Sequence, residues 1–142
     1  MKITNRKAYF EYHIVKEFTA GIQLFGSEVK SLRKGNANLG DGFCYVWNNE
    51  IFIKNSYIAK YEESSYLNHE ERRDRKLLLT KKEIRDIVKL TQDNGITIIP
   101  LEILIVKGRF KLKLAVAKGK KLWDKRQTIK DREVKREIER HR

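Results

Sequence analysis

The feature that most constrains the fold of this chain is a pair of long apolar segments separated by two residues. IIPLEILIV at 98–106 and RFKLKLAVA at 109–117 flank the dipeptide Lys107–Gly108. In the second segment, apolar side chains alternate with Lys111 and Lys113, and successive side chains of a strand point to opposite faces of a sheet. The pattern predicts a long antiparallel hairpin with one basic, solvent-exposed face.

Shorter segments nearer the start of the chain also have strand patterns. Residues 9–18 are aromatic and β-branched, and their alternation places Phe10 among the side chains expected to face a core. Segments 43–47 and 51–58 flank Asn48, Asn49 and Glu50, and asparagine tolerates the backbone conformations that a hairpin turn needs. These segments predict three more strands.

Two segments have helix start and stop signals. The first is expected at 27–34, with Ser27 as its N-cap and Gly35 after its last residue. The second begins with a capping box formed by Thr80 and Glu83, and its apolar residues recur at helical spacing.

The fold class predicted from these elements is mainly β. Five or six strands and two or three short helices in residues 1–117 favour a small antiparallel barrel of the OB-fold type, closed or partly open. Such barrels frequently hold oligonucleotides. A split α+β sheet is the main structural alternative.

Residues 118–142 form a basic C-terminal tail. These 25 residues contain 11 Lys or Arg and 5 Asp or Glu, within a chain of net charge +13. Their few apolar side chains form no narrow helical stripe, so we expect the tail to be disordered alone and helical in a polyanionic channel. A solubilising terminus is the alternative. The charge excess favours nucleic acid or an anionic membrane as partner.

Other compositional features narrow the classes of function. The opening residues have no secretory-signal pattern, and no apolar run reaches the roughly 20 residues of a membrane span. Cys44 is the only cysteine, and the three histidines lack ligand-like spacing, so neither a metal site nor a cofactor is expected. We expect a cytoplasmic monomer without a membrane partner.

Four blocks stand in order along the chain: NRKAYFEY at 5–12, GSEVKSLRKGNANLGDGF at 26–43, RDRKLLLTKKEI at 73–84 and VAKGKKLWDKRQTIKDRE at 116–133. Together they resemble the small protein B family, the SsrA-binding proteins that partner tmRNA in bacterial ribosome rescue. The resemblance implies an OB-like barrel without catalytic activity. It implies that the body grips the tRNA-like domain of tmRNA and that the tail enters the decoding site and vacant messenger channel of a stalled ribosome, against small-subunit rRNA. Two further partners, EF-Tu and the product of alanyl-tRNA synthetase, would contact this chain only indirectly, through tmRNA.

Within the body, the resemblance combines with side-chain chemistry to give a set of expected RNA contacts. Arginine forks clamp phosphate bidentately, and an exposed apolar side chain can stack under an unpaired base. Two of the three leucines at 77–79 are expected in the core, with Leu78 outward. Glu28 is a weaker candidate, because a carboxylate near phosphate is unfavourable unless it accepts hydrogen bonds or orients a basic neighbour. The expected contacts are Asn5, Arg6, Lys30, Arg33, Arg75, Lys76 and Leu78.

Within the tail, the resemblance implies contacts with the ribosome, with a flexible joint at Gly119 and an aromatic contact by Trp123 at the decoding centre. Two positions depart from the family pattern. Thr19 replaces a frequent acidic residue and is assigned no contact, while Val134 replaces a frequent Trp, so no large aromatic anchor is expected there. The expected tail contacts are Lys118, Gly119, Lys120, Lys121, Trp123, Asp124, Lys125, Arg126, Lys130, Arg132, Lys135, Arg136 and Ile138.

Two other classes of function compete with an RNA-binding adaptor. A resident ribosomal protein would share the basic barrel and the tail. An RNA nuclease or modifying enzyme finds little support, since the sequence has no phosphate-binding Gly-rich loop and no metal-ligand cluster.

Overall fold

The computed structural model describes residues 2–61 and 68–120. The described residues form three helices and nine strands. In chain order they are β1 (Lys2–Thr4), α1 (Arg6–Glu11), β2 (Tyr12–Ile22), α2 (Gly26–Arg33), β3 (Ala37–Asn38), β4 (Phe43–Trp47), β5 (Glu50–Lys54), β6 (Tyr57–Ile58), β7 (Arg75–Leu78), α3 (Lys81–Leu90), β8 (Ile96–Val106) and β9 (Arg109–Gly119).

One large antiparallel sheet contains seven of these strands, in the order β1-β8-β4-β5-β7-β2-β9. β8 also pairs with β9, so the pairings from β8 through β4, β5, β7, β2 and β9 return to β8, and β1 pairs with β8 outside this circuit. The pairing between β4 and β8 is the narrowest, a single residue pair of Cys44 with Ile98. The mainly β fold class is therefore confirmed, and the pairing pattern is compatible with an OB-like barrel.

The two hairpin turns predicted from sequence are confirmed by their backbone conformations. Lys107 and Gly108 have φ values of 50° and 77°, and Asn48 and Asn49 have φ values of 52° and 59°. Positive φ at both central residues is the conformation whose twist matches two-residue hairpins. The β8–β9 hairpin predicted as the main constraint on the fold is present over its full length.

The main apolar core lies on one face of the large sheet. Leu112, Leu114 and Val116 of β9 face inward and are buried there, as their alternation predicts. Lys111 and Lys113 of the same strand are partly exposed. Capping of α3 is also confirmed, because Thr80 Oγ1 accepts the Glu83 N–H at 3.2 Å.

The predicted strand at 9–18 is wrong in its first residues. Residues 6–11 form α1, and Phe10, expected to face the core, is 82% exposed. The inward residue of α1 is Ala8, which packs with Leu101 and Ala115 in a second cluster on the other side of the β8–β9 sheet. A small side chain lets the helix lie close on the sheet, and this tertiary contact outweighs the strand-like pattern of the aromatic residues.

Two other boundaries differ from the predictions. The strand expected at 51–58 is interrupted at Asn55, whose φ of 62° is left-handed and separates β5 from β6. The N-cap of α2 is Phe25 rather than Ser27, because the Phe25 N–H donates to Glu28 at 2.8 Å. The side chain of Ser27 is buried and used elsewhere.

Candidate nucleic-acid interface

A buried carboxylate organises the surface between α2 and β7. Glu28 is fully buried on the first turn of α2 and forms ion pairs with Arg73 and Arg75. Arg73 Nε donates to both of its oxygens, at 3.1 and 3.2 Å. The weak expectation that Glu28 orients a basic neighbour therefore fits the geometry, since this carboxylate fixes two guanidinium groups.

Hydrogen bonding keeps Glu28 ionised. Burial by itself would raise the pKa of the Glu28 carboxyl, but hydrogen bonds from Arg73, the Phe25 N–H and Arg75 outweigh it and lower the pKa below its ordinary value of 4.5. Glu28 is therefore a stable anion against which the arginines are held.

The expected phosphate contact by Arg75 is corrected by its position. Its side chain is 1% exposed, and its guanidinium donates to Glu28, to the backbone and side-chain oxygens of Ser56, and to the Glu71 carbonyl. A guanidinium with its donors engaged inside the protein cannot also clamp a phosphate. Arg75 instead supports the arrangement around Glu28.

Arg73, which the sequence does not distinguish from its basic neighbours, reaches the surface from the same cluster. Its guanidinium carbon lies 4.0 Å from the centre of the Phe25 ring, and Phe25 is 56% exposed. Arg73 Nη2 also donates to the Gln23 carbonyl at 3.1 Å. An exposed ring stacked on a fixed guanidinium is a surface on which an unpaired base can stack. The sequence gives only a weak indication of this stacking surface, because a phenylalanine just before a helix is more typical of a core residue.

Leu78 points outward, as predicted, and is 49% exposed, whereas Leu77 is buried and Leu79 packs against the core. β7 lies against β2 with Leu78 opposite Gly21, and a Cβ added at Gly21 would lie 3.2 Å from the Leu78 Cβ. A larger residue at 21 would therefore displace Leu78. Because Gly21 has no side chain, Leu78 can pack directly over the backbone of the neighbouring strand.

Lys76 lies two residues before Leu78, on the same side of β7. Its ammonium forms a 2.8 Å ion pair with Glu50, with side-chain exposures of 32% and 43%. Such a partly exposed pair exchanges readily for a phosphate contact, because exposed pairs contribute little stability. We call Phe25, Arg73, Lys76 and Leu78 the β7 face.

The exposed side of α2 adjoins this cluster and carries Lys30 and Arg33, both exposed. Lys30 Nζ lies 5.3 Å from the centre of the Tyr61 ring. The helix is held by the Ser31 hydroxyl, which donates to the Ala59 carbonyl at 2.6 Å, and by Ser27, which is 2.8 Å from His69 Nδ1. The two cations therefore project from a fixed helix.

Asn5 and Arg6 lie away from the β7 face, at the start of α1. Asn5 is buried, with 5% of its surface exposed, and its Nδ2 donates to the Pro100 carbonyl at 2.9 Å. Asn5 thus anchors α1 to β8, and its expected RNA contact stays a prediction. Its Oδ1 has no hydrogen-bond partner within residues 2–61 and 68–120, and Asn5 is one of the residues that line a cavity of about 210 Å³. Arg6 is exposed.

The first residues of the tail belong to the last strand. Lys118 pairs with His13 and Gly119 with Tyr12, and the Lys120 N–H donates to the Glu11 carbonyl at 2.7 Å. Gly119 is therefore a strand residue in this structure rather than a joint. Thr19 is exposed on β2 opposite Lys113. The other expected tail contacts and Val134 lie outside the described residues.

Metal sites and membrane spans are two further features that bear on function. Among residues 2–61 and 68–120, no group of three or more His, Cys, Asp or Glu side chains is placed to hold a metal ion. Within the same residues, no helix is both long and apolar enough to cross a membrane.

Comparison with known proteins identifies the family. The sequence profile described as SmpB protein matches residues 2–142. The SsrA-binding protein of Christiangramia forsetii is 46% identical over 141 residues, covering 99% of this chain and 90% of the relative. The SsrA-binding protein of Acholeplasma laidlawii is 50% identical over 133 residues, covering 94% and 89%.

A solved structure gives the same result at the level of the fold. A chain in the structure described as "tmRNA-SmpB: a journey to the center of the bacterial ribosome" is 41% identical, with a TM-score of 0.72 and coverage of 87% of both chains. The resemblance seen in the four sequence blocks is thus confirmed over nearly the whole length. This chain belongs to the SmpB family of SsrA-binding proteins.

Proposed function

We propose that this chain is a non-catalytic RNA-binding adaptor that binds the tRNA-like domain of tmRNA and brings it to stalled ribosomes. Membership of a family named for SsrA binding supports the RNA partner, and the ribosome complex of the similar chain supports the site of action. The observation that supports this proposal most is the β7 face, where the buried Glu28 anion holds Arg73 against the exposed Phe25 ring and where Leu78 is also exposed.

The β7 face has the chemistry that recognises a folded RNA loop. Leu78 and the Phe25 ring offer apolar surface for unstacked bases, and Lys76 offers a charge for a phosphate. Lys30 and Arg33 extend the positive surface along α2. Stacking at fixed positions then favours a loop whose bases are unstacked, and the phosphate contacts supply affinity.

The finer part of the proposal concerns residues 118–142. We propose that this segment occupies the decoding site and the empty messenger channel, with Trp123 as an aromatic contact. Its excess of basic residues favours a path lined by rRNA phosphate. A helix of about 21 residues from Leu122 would reach roughly 30 Å.

The decisive test is peptide tagging of a stalled translation product in a reconstituted bacterial translation system. Tagging should require both the purified chain and tmRNA. Tagging that proceeds at the same rate without the chain would contradict the adaptor function, and stoichiometric association with ribosomes in the absence of tmRNA would favour a resident ribosomal protein.

A further inference from the structure

A second basic surface lies along α3 and shares no residue with the β7 face. A groove of about 520 Å³ is bordered by α3 and by the turn between β4 and β5. The residues that line it are Asn49, Lys81, Ile84, Arg85, Val88, Lys89 and Gln92.

The lining residues of α3 form one continuous stripe. Counted from Lys81, Ile84, Arg85, Val88 and Lys89 stand 3, 4, 7 and 8 positions along the chain, which is the spacing of one helix face, and Gln92 lies just beyond the last residue of α3. Ile87, on the other side of α3, is completely buried in the core. Ile84 also packs against that core, so α3 lies on the barrel through Ile87 and Ile84, and its cationic side borders the groove.

The positive charge on this stripe is not neutralised. Within residues 2–61 and 68–120, no acidic side chain lines the groove, and Lys81, Arg85 and Lys89 form no ion pair. The acidic residues of α3 are engaged elsewhere, because Glu83 caps the helix and Asp86 pairs with Lys16 at 3.9 Å. An anionic partner would complement this surface.

The spacing of the cations matches a nucleic-acid strand. Lys81, Arg85 and Lys89 are successive i, i+4 neighbours, which places them about 6 Å apart along the helix axis. This is close to the separation of successive phosphates on an extended RNA strand. Between them, Ile84 and Val88 are only half-buried and give an apolar floor on which a base can lie.

We propose that the α3 groove binds a short single-stranded segment of RNA, with phosphates on Lys81, Arg85 and Lys89 and a base on Ile84 and Val88. The choice of RNA as partner rests on the proposed function of the chain. Surfaces that bind single strands combine a positively charged groove with side chains on which bases stack, most often aromatic ones, and in this groove Ile84 and Val88 supply the apolar surface. The basic tail of this chain is a poor occupant, because its charge has the same sign as the groove.

The experiment is photo-crosslinking of the full chain to an unstructured RNA decamer that contains 4-thiouridine, followed by mass spectrometry of the adducts. Lys81→Glu and Lys82→Glu form a matched pair, because both are exposed lysines in the first turn of α3 and only Lys81 lines the groove. We expect adducts on α3 in the wild type and in Lys82→Glu, and their loss in Lys81→Glu and in Arg85→Glu.

Salt dependence gives a second readout. Removing one cation that binds a phosphate of a single strand should lower the log-log salt slope of decamer binding by about 0.7. Adducts confined to other basic segments, or α3 adducts unchanged by Lys81→Glu and Arg85→Glu, would overturn the proposal. So would displacement of the RNA from α3 by a glutamate-rich peptide at lower concentration than by unlabelled decamer.

Binding of the same variants to the tRNA-like domain is measured in parallel. If the wild type binds the decamer on α3 but not the tRNA-like domain, the proposed function fails while the groove remains. If the tRNA-like domain binds and the groove takes no RNA, only the groove proposal fails.

Discussion

The carboxylate of Glu28 and the guanidinium of Arg75 form an ion pair in which both side chains are buried, with exposures of 0% and 1%. The same carboxylate holds Arg73, whose side chain is 22% exposed and lies against the Phe25 ring. One anion therefore supports the packing of β7 and positions a candidate RNA contact.

Glu28→Gln should destabilise the fold substantially. The substitution preserves the shape of the side chain but leaves the buried Arg75 cation without its counter-ion, a change that typically costs about 3–5 kcal/mol. Urea denaturation should show a lower midpoint at an unchanged slope.

Glu50→Gln is the control for that experiment. It also removes the anion of an ion pair, but the pair with Lys76 is partly exposed and should contribute about 0–1 kcal/mol. Equal losses of stability in the two variants would contradict a special role of the buried pair.

Stability should also depend on pH through Glu28. Burial acts to raise the Glu28 pKa, but the hydrogen bonds from Arg73, Phe25 and Arg75 lower it in the folded state. The unfolded state then binds the proton more readily, so the stabilisation is complete above the ordinary pKa of 4.5 and is lost as pH falls through the lowered value. The stability gap between wild type and Glu28→Gln should narrow over that acid range, and a gap independent of pH would contradict the assignment.

The sequence predicted most of the sheet because its strongest signals are local. The alternation in 109–117, the turn at Lys107–Gly108 and the capping box at Thr80 each depend on residues close together in the chain. The helix α1 could not be predicted in this way, because Ala8 is held by packing against Leu101, far away in sequence.

The candidate site was predicted less completely for a similar reason. The outward position of Leu78 follows from alternation between buried neighbours, and the structure confirms it. Alternation places Arg75 on the same side of β7 as the buried Leu77, but its pairing with Glu28, 47 residues earlier, does not follow from a local pattern.

Lys76 and Leu78 should weaken RNA binding in different ways when they are replaced. Lys76→Ala should lower the log-log salt slope by up to about 0.9, because the variant has one cation fewer for the phosphates. Leu78→Ala should leave the slope unchanged and lower affinity by up to roughly 3 kcal/mol, the upper end for a base stacked on an aromatic ring. Gel shifts with the tRNA-like domain across a salt series separate the two, and unchanged affinity in Leu78→Ala would exclude that side chain from the interface.

Phe25→Leu should weaken RNA binding with little effect on the fold. The ring is 56% exposed, and removal of its cation–π interaction with Arg73 should cost about 0.5–1 kcal/mol of stability. A stacked base would lose on the order of 1–3 kcal/mol of affinity. Calorimetric titration with the tRNA-like domain measures the effect, and a variant with full affinity would show that no base stacks there.

Truncation should separate binding from rescue. A chain ending at Lys120 keeps the whole of β9 and should bind tmRNA but fail to support tagging. A chain ending at Ala117 also lacks the pairing of Lys118 and Gly119 with β2 and the hydrogen bond to Glu11, each worth about 1 kcal/mol, and should be less stable. Failure of the stable, longer truncation to bind tmRNA would place the primary RNA site in the tail.

The most direct test of the adaptor function is the identity of the RNA that the chain selects. The full-length chain is expressed with an affinity tag in a bacterium lacking its own SmpB protein, purified at moderate salt, and the bound RNA is sequenced. We predict that tmRNA dominates over the far more abundant tRNAs and that Leu78→Ala lowers this enrichment. Bound RNA that follows cellular abundance, with tRNA in excess and no change in the variant, would contradict the proposed function.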